Sequence, residues 1–170
     1  MIQVFDNLFD KNIITQIYNE LKKFNYEPGE TDIPGYPPTG QIVTLEKNSP
    51  LVEIITNKIN HLLPDKKIVR AYSNIFKSNE NPYFHEDGKV LTVIYYANTE
   101  IGYKDIKKLD EGGETQFYIK DRDEILGIQP YTGRLILFDG QIFHRGTPFR
   151  SFDRYNIVIK YDNINKGIER

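Results

Sequence analysis

His85, Asp87 and His144 are the residues whose types and spacing could do redox chemistry in this chain. There are three histidines in all, and two of them stand here, the first with a carboxylate two residues on. Two imidazoles and one carboxylate bind a divalent ion on one side and leave its other positions open, the ligand arrangement of non-haem Fe(II) sites that handle dioxygen. Arg154 follows, a fixed cation suited to an acidic co-substrate. On an extended strand alternate side chains share a face. His85 and Asp87 would then point one way and Glu86 the other, while His144 must come from a strand far in sequence and near in space. A His-x-Asp pair alone is weak support for a metal, and the distal histidine and arginine strengthen it. Zinc accepts the same donors, so the three ligands alone leave zinc open as the rival metal.

Composition bounds the elements that must position these residues. At 170 residues the chain suits one domain, which buries roughly 70% of its unfolded surface and needs no metal merely to fold. It has no cysteine, which excludes disulfides, thiolate metal sites and cysteine nucleophiles. The 22 basic and 24 acidic residues leave a net charge of −2, which gives no general attraction to nucleic acid or to an anionic membrane. Met1 is followed by Ile2-Gln3-Val4-Phe5-Asp6, which is not a signal peptide, and no run approaches the ~18 apolar residues of a membrane span. The expectation is a soluble, cytoplasmic protein with no nucleic-acid or membrane partner. The sequence carries no signal for an oligomeric state.

The 12 Tyr and 10 Phe, with no Trp, lean toward a β-rich core, because strands favour aromatic side chains. The first third nevertheless reads as helical. After a capping Asp10, the apolar stripe Ile13, Ile14, Ile17, Tyr18, Leu21 and Phe24 predicts an amphipathic helix ended by Pro28-Gly29. A second helix is predicted from Ser49-Pro50, with the stripe Leu51, Ile54, Ile55, Ile59 and Leu62, closed by Pro64. Residues 27–40 between them, rich in Pro and Gly, read either as a connecting loop or as a lid over an active-site mouth. From Lys67 the period becomes that of strands, predicted at 68–76, 83–87, 90–97, 115–119, 125–129, 134–138, 142–147 and 154–161. These fit a mainly β fold with flanking helices: a double-stranded β-helix (jelly-roll, cupin-like) core with the N-terminal helices packed on one sheet. A single domain over 1–170 is expected, with 1–65 as helical support and 66–162 as the jelly-roll core.

Alternation along 154–161 puts Arg154, Asn156 and Val158 on one face and Tyr155, Ile157 and Ile159 on the other. A guanidinium facing the interior needs an anionic partner, and its planar fork suits a carboxylate. The other reading turns Arg154 outward, to pair with Asp153 or another surface acid.

Four separated segments carry a resemblance to a known family. They are Pro82-Tyr83-Phe84-His85-Glu86-Asp87; the strand from Val90 to Asn98; Glu111-Gly112-Gly113-Glu114-Thr115-Gln116-Phe117; and Gly133-Arg134-Leu135-Ile136-Leu137-Phe138 with His144 and Arg154-Tyr155. In this order they resemble the Fe(II)/2-oxoglutarate-dependent dioxygenases, prolyl 4-hydroxylase-like. The resemblance implies that His85, Asp87 and His144 hold Fe(II), and that 2-oxoglutarate chelates it with its far carboxylate on Arg154. Tyr72 and Tyr96 match co-substrate-binding tyrosines, and Thr92, on the face of Tyr96, lines the same pocket. It implies O2 as co-reactant and admits ascorbate as reductant. The implied reaction couples oxidative decarboxylation of 2-oxoglutarate, giving succinate and CO2, to hydroxylation of a substrate. Arg154 stands where many collagen-type prolyl 4-hydroxylases carry Lys, and Val158 where some relatives carry a hydroxyl.

Arg145 and Tyr83 are candidate substrate contacts. His61 reads as a charge at a helix end, Gly112-Gly113 as a tight turn, Asp121-Arg122-Asp123-Glu124 as a solvated turn, and Lys104 to Lys108 as a polar connection. The leading function is hydroxylation of a prolyl or other residue in a peptide or protein. The alternatives are a hydroxylase of a free amino acid or small metabolite, and a non-catalytic jelly-roll binding module, against which the intact triad and Arg154 argue.

Overall fold

Residues 1–102 and 105–163 are described by the structure, a computed structural model. The chain opens with β1 (Ile2–Phe5), α1 (Lys11–Leu21), β2 (Glu27–Pro28), β3 (Gln41–Thr44) and α2 (Pro50–Ile59). Seven strands follow: β4 (Ile68–Phe76), β5 (Val90–Tyr96), β6 (Thr115–Ile119), β7 (Glu124–Ile128), β8 (Leu135–Asp139), β9 (His144–Gly146) and β10 (Arg154–Asp162). They form a seven-stranded antiparallel sheet in the order β1-β8-β5-β10-β4-β3-β2 and a three-stranded sheet, β7-β6-β9. This is the mainly β, two-sheet architecture expected of a jelly roll.

Asp10 caps α1 by accepting from the Ile13 backbone N–H at 2.9 Å. Ile14, Ile17, Tyr18 and Leu21 recur at helical spacing and are buried. The helix stops at Leu21, short of the predicted Pro28-Gly29, and the next member of the stripe, Phe24, is 39% exposed and joins no core. In α2, Pro50 sits in the first turn, and the buried face is Val52, Ile55, Thr56 and Ile59.

Alternation divides the large sheet into two faces. Val93 and Tyr95 of β5, Leu135 and Leu137 of β8, and Ile157 and Ile159 of β10 pack against Ile17, Leu21, Val52, Ile55 and Ile59 of the helices. Ile94, Tyr96, Ile136, Phe138 and Val158 face the other way and meet Phe117 of β6. Each such side chain contributes ~1.5–3 kcal/mol on burial, so the helices fix the back of the sheet while its front closes on the small sheet.

Three expectations need correcting. Strands also occur before residue 65, where helices alone were expected: β1 pairs with β8, β3 with β4, and β2 with β3. At two to four residues each they carry too little alternation to reveal a period. Residues 83–87 form no strand. Only His85 makes a bridge there, to His144. The strand predicted at 142–147 shrinks to β9, because the Ile142 N–H bonds the Asp139 carbonyl in the preceding turn. Among the others, β4 and β6 coincide with the predicted ranges, and β5, β7, β8 and β10 differ by one residue at one or both ends.

The segment 27–40 is tied down rather than free. Gly29 donates to the Gly40 carbonyl at 2.9 Å, and Glu30 accepts both Nη atoms of Arg70 on β4, at 2.9 and 2.6 Å. Lys104 of the polar connection lies outside the described residues.

Candidate active site

Backbone pairing brings the histidines together. The N–H of each donates to the carbonyl of the other at 3.0 Å, and the Asp87 N–H donates to the Gly140 carbonyl at 2.7 Å. An irregular segment thus turns His85 and Asp87 to one side, as the predicted strand was expected to do. His85 Nε2 lies 3.9 Å from Asp87 Oδ1 and His144 Nε2 lies 3.6 Å from Asp87 Oδ2. One ligand atom from each residue lies within 4.8 Å of the other two.

The second nitrogen of each ring is already engaged. His85 Nδ1 lies 3.1 Å from the Tyr83 carbonyl, and His144 Nδ1 lies 2.8 Å from the Ile142 carbonyl. With Nδ1–H donated there, each Nε2 turns its lone pair toward Asp87. Asp32, from the segment 27–40, adds a carboxylate oxygen 3.6 Å from His85 Nδ1, beyond hydrogen-bond reach but close enough to act through its charge. Glu86 is exposed at the outer edge and is not among the ligands.

Electrostatics prepare the three for a cation. Burial, with the neighbouring His85, pushes the His144 imidazole down to about 4 against the pull of Asp87, so it is neutral at pH 7. Burial pushes the Asp87 carboxyl up, but His144, Lys160 and Thr92 facing its oxygens outweigh this and hold it below the usual carboxylate range. Two imidazoles and a carboxylate of this kind fit Fe(II) in their donor chemistry.

An inner cavity beside the ligands is lined by Tyr72, Thr92, Ile94, Thr115, Arg154 and Val158. It shares Tyr72, Asn74, Phe76, His85 and Asp87 as walls with an outer mouth of about 230 Å³, which Glu30, Asp32, Gln41, Glu86 and Lys160 also border. The segment 27–40 therefore forms one wall of the mouth.

Arg154 faces inward, not outward. It is 2% exposed, while Asp153 pairs with Lys77. Its Nε donates to the Gly113 carbonyl at 2.8 Å and its Nη2 to Thr115 Oγ1 at 3.0 Å. The Asn156 amide, in the orientation that satisfies its neighbours, accepts from Nη1 at 2.9 Å. Phe76 and Tyr96 place their rings 5.5 Å from the guanidinium. No acidic side chain pairs with Arg154 among the described residues. A charge desolvated to this degree without a counter-ion calls for an anion in the cavity. A Cβ at Gly146 would lie 2.3 Å from Nη1, so only glycine admits the guanidinium here.

The other candidate residues divide. The Tyr96 hydroxyl donates to Thr115 Oγ1 at 2.7 Å, on the same hydroxyl that Arg154 grips. The Tyr72 hydroxyl makes no hydrogen bond among the described residues, and burial followed by the Asp87 charge pushes its pKa up. Thr92 lines the cavity, yet its hydroxyl is taken by Asp87 Oδ2 at 2.6 Å, so it serves that carboxylate. Tyr83 packs on Tyr36 with ring centroids 5.0 Å apart. Arg145 bonds Gln116 at 2.9 Å and lies over Phe84. Neither of these two lines the inner cavity or the mouth. Thr115, Asn74, Asn156 and Lys160 were not singled out from the sequence. Parity along β10 put Asn156 on the face of Arg154 without giving it a role.

A profile of the 2OG-Fe(II) oxygenase superfamily matches residues 73–161, just over half of the chain and the same stretch that carries the sequence motifs. The chain belongs to this superfamily. The oxygenase is accordingly a 2-oxoglutarate-dependent dioxygenase, with iron and 2-oxoglutarate as its cofactor and co-substrate. Among solved structures it resembles a prolyl hydroxylase from Trichoplax adhaerens in complex with a hypoxia inducible factor peptide fragment (TM-score 0.73, 18% identity, 95% of this chain and 83% of that one). It also resembles a prolyl-4-hydroxylase from Pseudomonas putida (TM-score 0.73, 14% identity, 96% and 93%). A third is HygX from Streptomyces hygroscopicus with nickel and 2-oxoglutarate bound (TM-score 0.67, 13% identity, 95% and 82%). At these identities the likeness is one of fold. No curated protein sequence matches the oxygenase significantly.

Proposed function

We propose that the oxygenase hydroxylates a prolyl or other residue in a peptide or protein, with His85, Asp87 and His144 holding Fe(II) and Arg154 binding the far carboxylate of 2-oxoglutarate. One observation carries the reading. A buried guanidinium with no ion-paired acidic side chain among the described residues shares a cavity with two imidazoles and a carboxylate whose ligand atoms converge. Bound there, ferrous iron would let O2 be reduced, one of its oxygen atoms going to succinate as 2-oxoglutarate loses CO2 and the other to the hydroxylated substrate.

The chain's own residues do the rest. Arg154, fixed by Gly113 and Thr115 and lining the cavity, would orient the diacid. Tyr96 steadies Thr115, and Tyr72 offers an unused hydroxyl on the opposite wall. Ile94, Phe117, Phe138 and Val158 keep water from the inner end. The mouth, bordered by Glu30, Asp32, Gln41, Glu86 and Lys160, is where the substrate residue would enter. A second reading, hydroxylation of a free amino acid or small metabolite, draws support from the mouth's polar lining and its volume of about 230 Å³, which would also hold a small molecule.

The test is incubation of the Fe(II)-loaded protein, 2-oxoglutarate and O2 with a panel of proline-containing peptides and, separately, with free amino acids. The proposal expects an added oxygen on a peptide by mass, with matching succinate. Oxygen added only to free amino acids would establish the second reading. Succinate release without oxygen in either panel would set both aside.

A further inference from the structure

We propose that Lys160 is a positioning residue that confines Asp87 to metal binding through one oxygen. The inference rests on the assignment of His85, Asp87 and His144 as the metal ligands. Lys160 Nζ donates to Asp87 Oδ1 at 2.7 Å, and Thr92 Oγ1 donates to Oδ2 at 2.6 Å. The two donors face each other across the central strands, Thr92 of β5 opposite Lys160 of β10 in the register. They are therefore held near the ends of two neighbouring strands of the large sheet, beside a register shift of β10 against β4 at Lys160/Tyr161. Lys160 is 14% exposed and Asp87 5% exposed, so the pair is shielded from water. On β4, Arg70 is also opposite Lys160 in the register, but its guanidinium is committed to Glu30. Among the described residues Lys160 hydrogen-bonds and ion-pairs with Asp87, and its ammonium also lies 5.6 Å from the centroid of the Tyr72 ring.

The two donors do not act alike on a dication. An ammonium at Oδ1 repels a metal ion from that oxygen at short range. A hydroxyl at Oδ2 carries no net charge and leaves that oxygen a lone pair. Oδ2 lies 3.6 Å from His144 Nε2 and Oδ1 3.9 Å from His85 Nε2, so both oxygens border the ligand set and the unlike donors decide between them. Asp87 thus presents Oδ2 to the metal while Lys160 keeps Oδ1 occupied. Three single-atom protein ligands leave room for a keto acid that binds through two atoms and for dioxygen. Freed from Lys160, both oxygens face the imidazoles, and the carboxylate takes a coordination position that the co-substrate needs.

The experiment compares the unaltered protein with Lys160→Met, Lys160→Gln and Lys160→Arg, each loaded with Co(II) in place of iron. The visible d–d spectrum reports the coordination of Co(II), calorimetry reports 2-oxoglutarate affinity, and the melting temperature of the metal-free form verifies folding. Lys160→Met and Lys160→Gln should change the Co(II) spectrum and weaken 2-oxoglutarate binding by about 10- to 100-fold, the range typical of lost outer partners of metal ligands. Lys160→Arg should stay close to the unaltered protein. If folded Lys160→Met and Lys160→Gln keep the parental spectrum and affinity, with only the melting temperature lowered, Lys160 is a structural salt bridge and the inference is overturned. If the unaltered protein takes up no Co(II), the ligand assignment fails and the inference falls with it.

Discussion

Replacing Arg154 with methionine keeps a side chain of similar length and removes the charge. Of the five N–H donors of a guanidinium, one on Nε is spent on Gly113 and one on Nη2 on Thr115, and Nη1 meets Asn156. The donors that remain are those for a bound carboxylate. Loss of a charge-assisted hydrogen bond costs about 1.5–3 kcal/mol, which is roughly 10- to 150-fold in affinity. The same change strips partners from the buried Gly113 carbonyl and Thr115 hydroxyl, so about 1–3 kcal/mol of stability should go as well. Affinity and stability therefore need separate readings. Calorimetric titration of the metal-loaded protein with 2-oxoglutarate and with 2-oxopentanoate, which lacks the far carboxylate, separates them. The unaltered protein should prefer the diacid by about the stated factor, and Arg154→Met should bind both ligands alike. An unaltered protein indifferent to the far carboxylate, or a variant that keeps the preference, would refute the reasoning.

Further outcomes follow from the same geometry. Asp87→Ala and His144→Ala should each abolish Co(II) uptake and substrate-independent succinate release, measured by absorbance and by mass spectrometry. Gly146→Ala puts a methyl where Arg154 Nη1 stands, 2.3 Å away, so 2-oxoglutarate affinity should fall while metal affinity holds. Thr115→Val removes the acceptor shared by Tyr96 and Arg154, and denaturant unfolding should show a loss of about 1–3 kcal/mol. His144 is held near 4 in the folded protein against an ordinary 6.5. Between those values the unfolded chain binds a proton that the folded one does not. The metal-free protein should therefore lose up to roughly 3 kcal/mol as pH falls from 6.5 to 4, with that stability fully present above 6.5. A melting temperature flat over this window would remove the buried neutral imidazole.

Much of the fold was legible because period and burial agree in the later strands. β4, β5, β6, β7, β8 and β10 are runs of β-branched and aromatic residues bounded by turn signals, and Ile14, Ile17, Leu21, Ile55 and Ile59 of the helix stripes met the sheet while Phe24 and Leu62 stayed exposed. β1, β2 and β3 were not legible, since their pairing is decided by the strands they join rather than by their own few residues. In the site, His85, Asp87, His144 and Arg154 could be read from residue type and parity. Tyr83–Asp87 as a strand could not survive, because one bridge to His144 and one bond to Gly140 suffice to aim the ligands. Asp32 was hidden because it reaches His85 from a segment far back in the chain. Lys160 was hidden because a lysine late in a strand reads as a solvated end, and only the register shows it opposite Thr92 and above Asp87.

The most direct test of the account is an anaerobic crystal structure with Fe(II) and 2-oxoglutarate, with the metal located by anomalous scattering at the iron edge. A single iron peak bonded to His85 Nε2, Asp87 and His144 Nε2, with the far carboxylate of 2-oxoglutarate on Arg154, is the expected result. An iron peak away from these three side chains, or a diacid that leaves Arg154 unpaired, would contradict it.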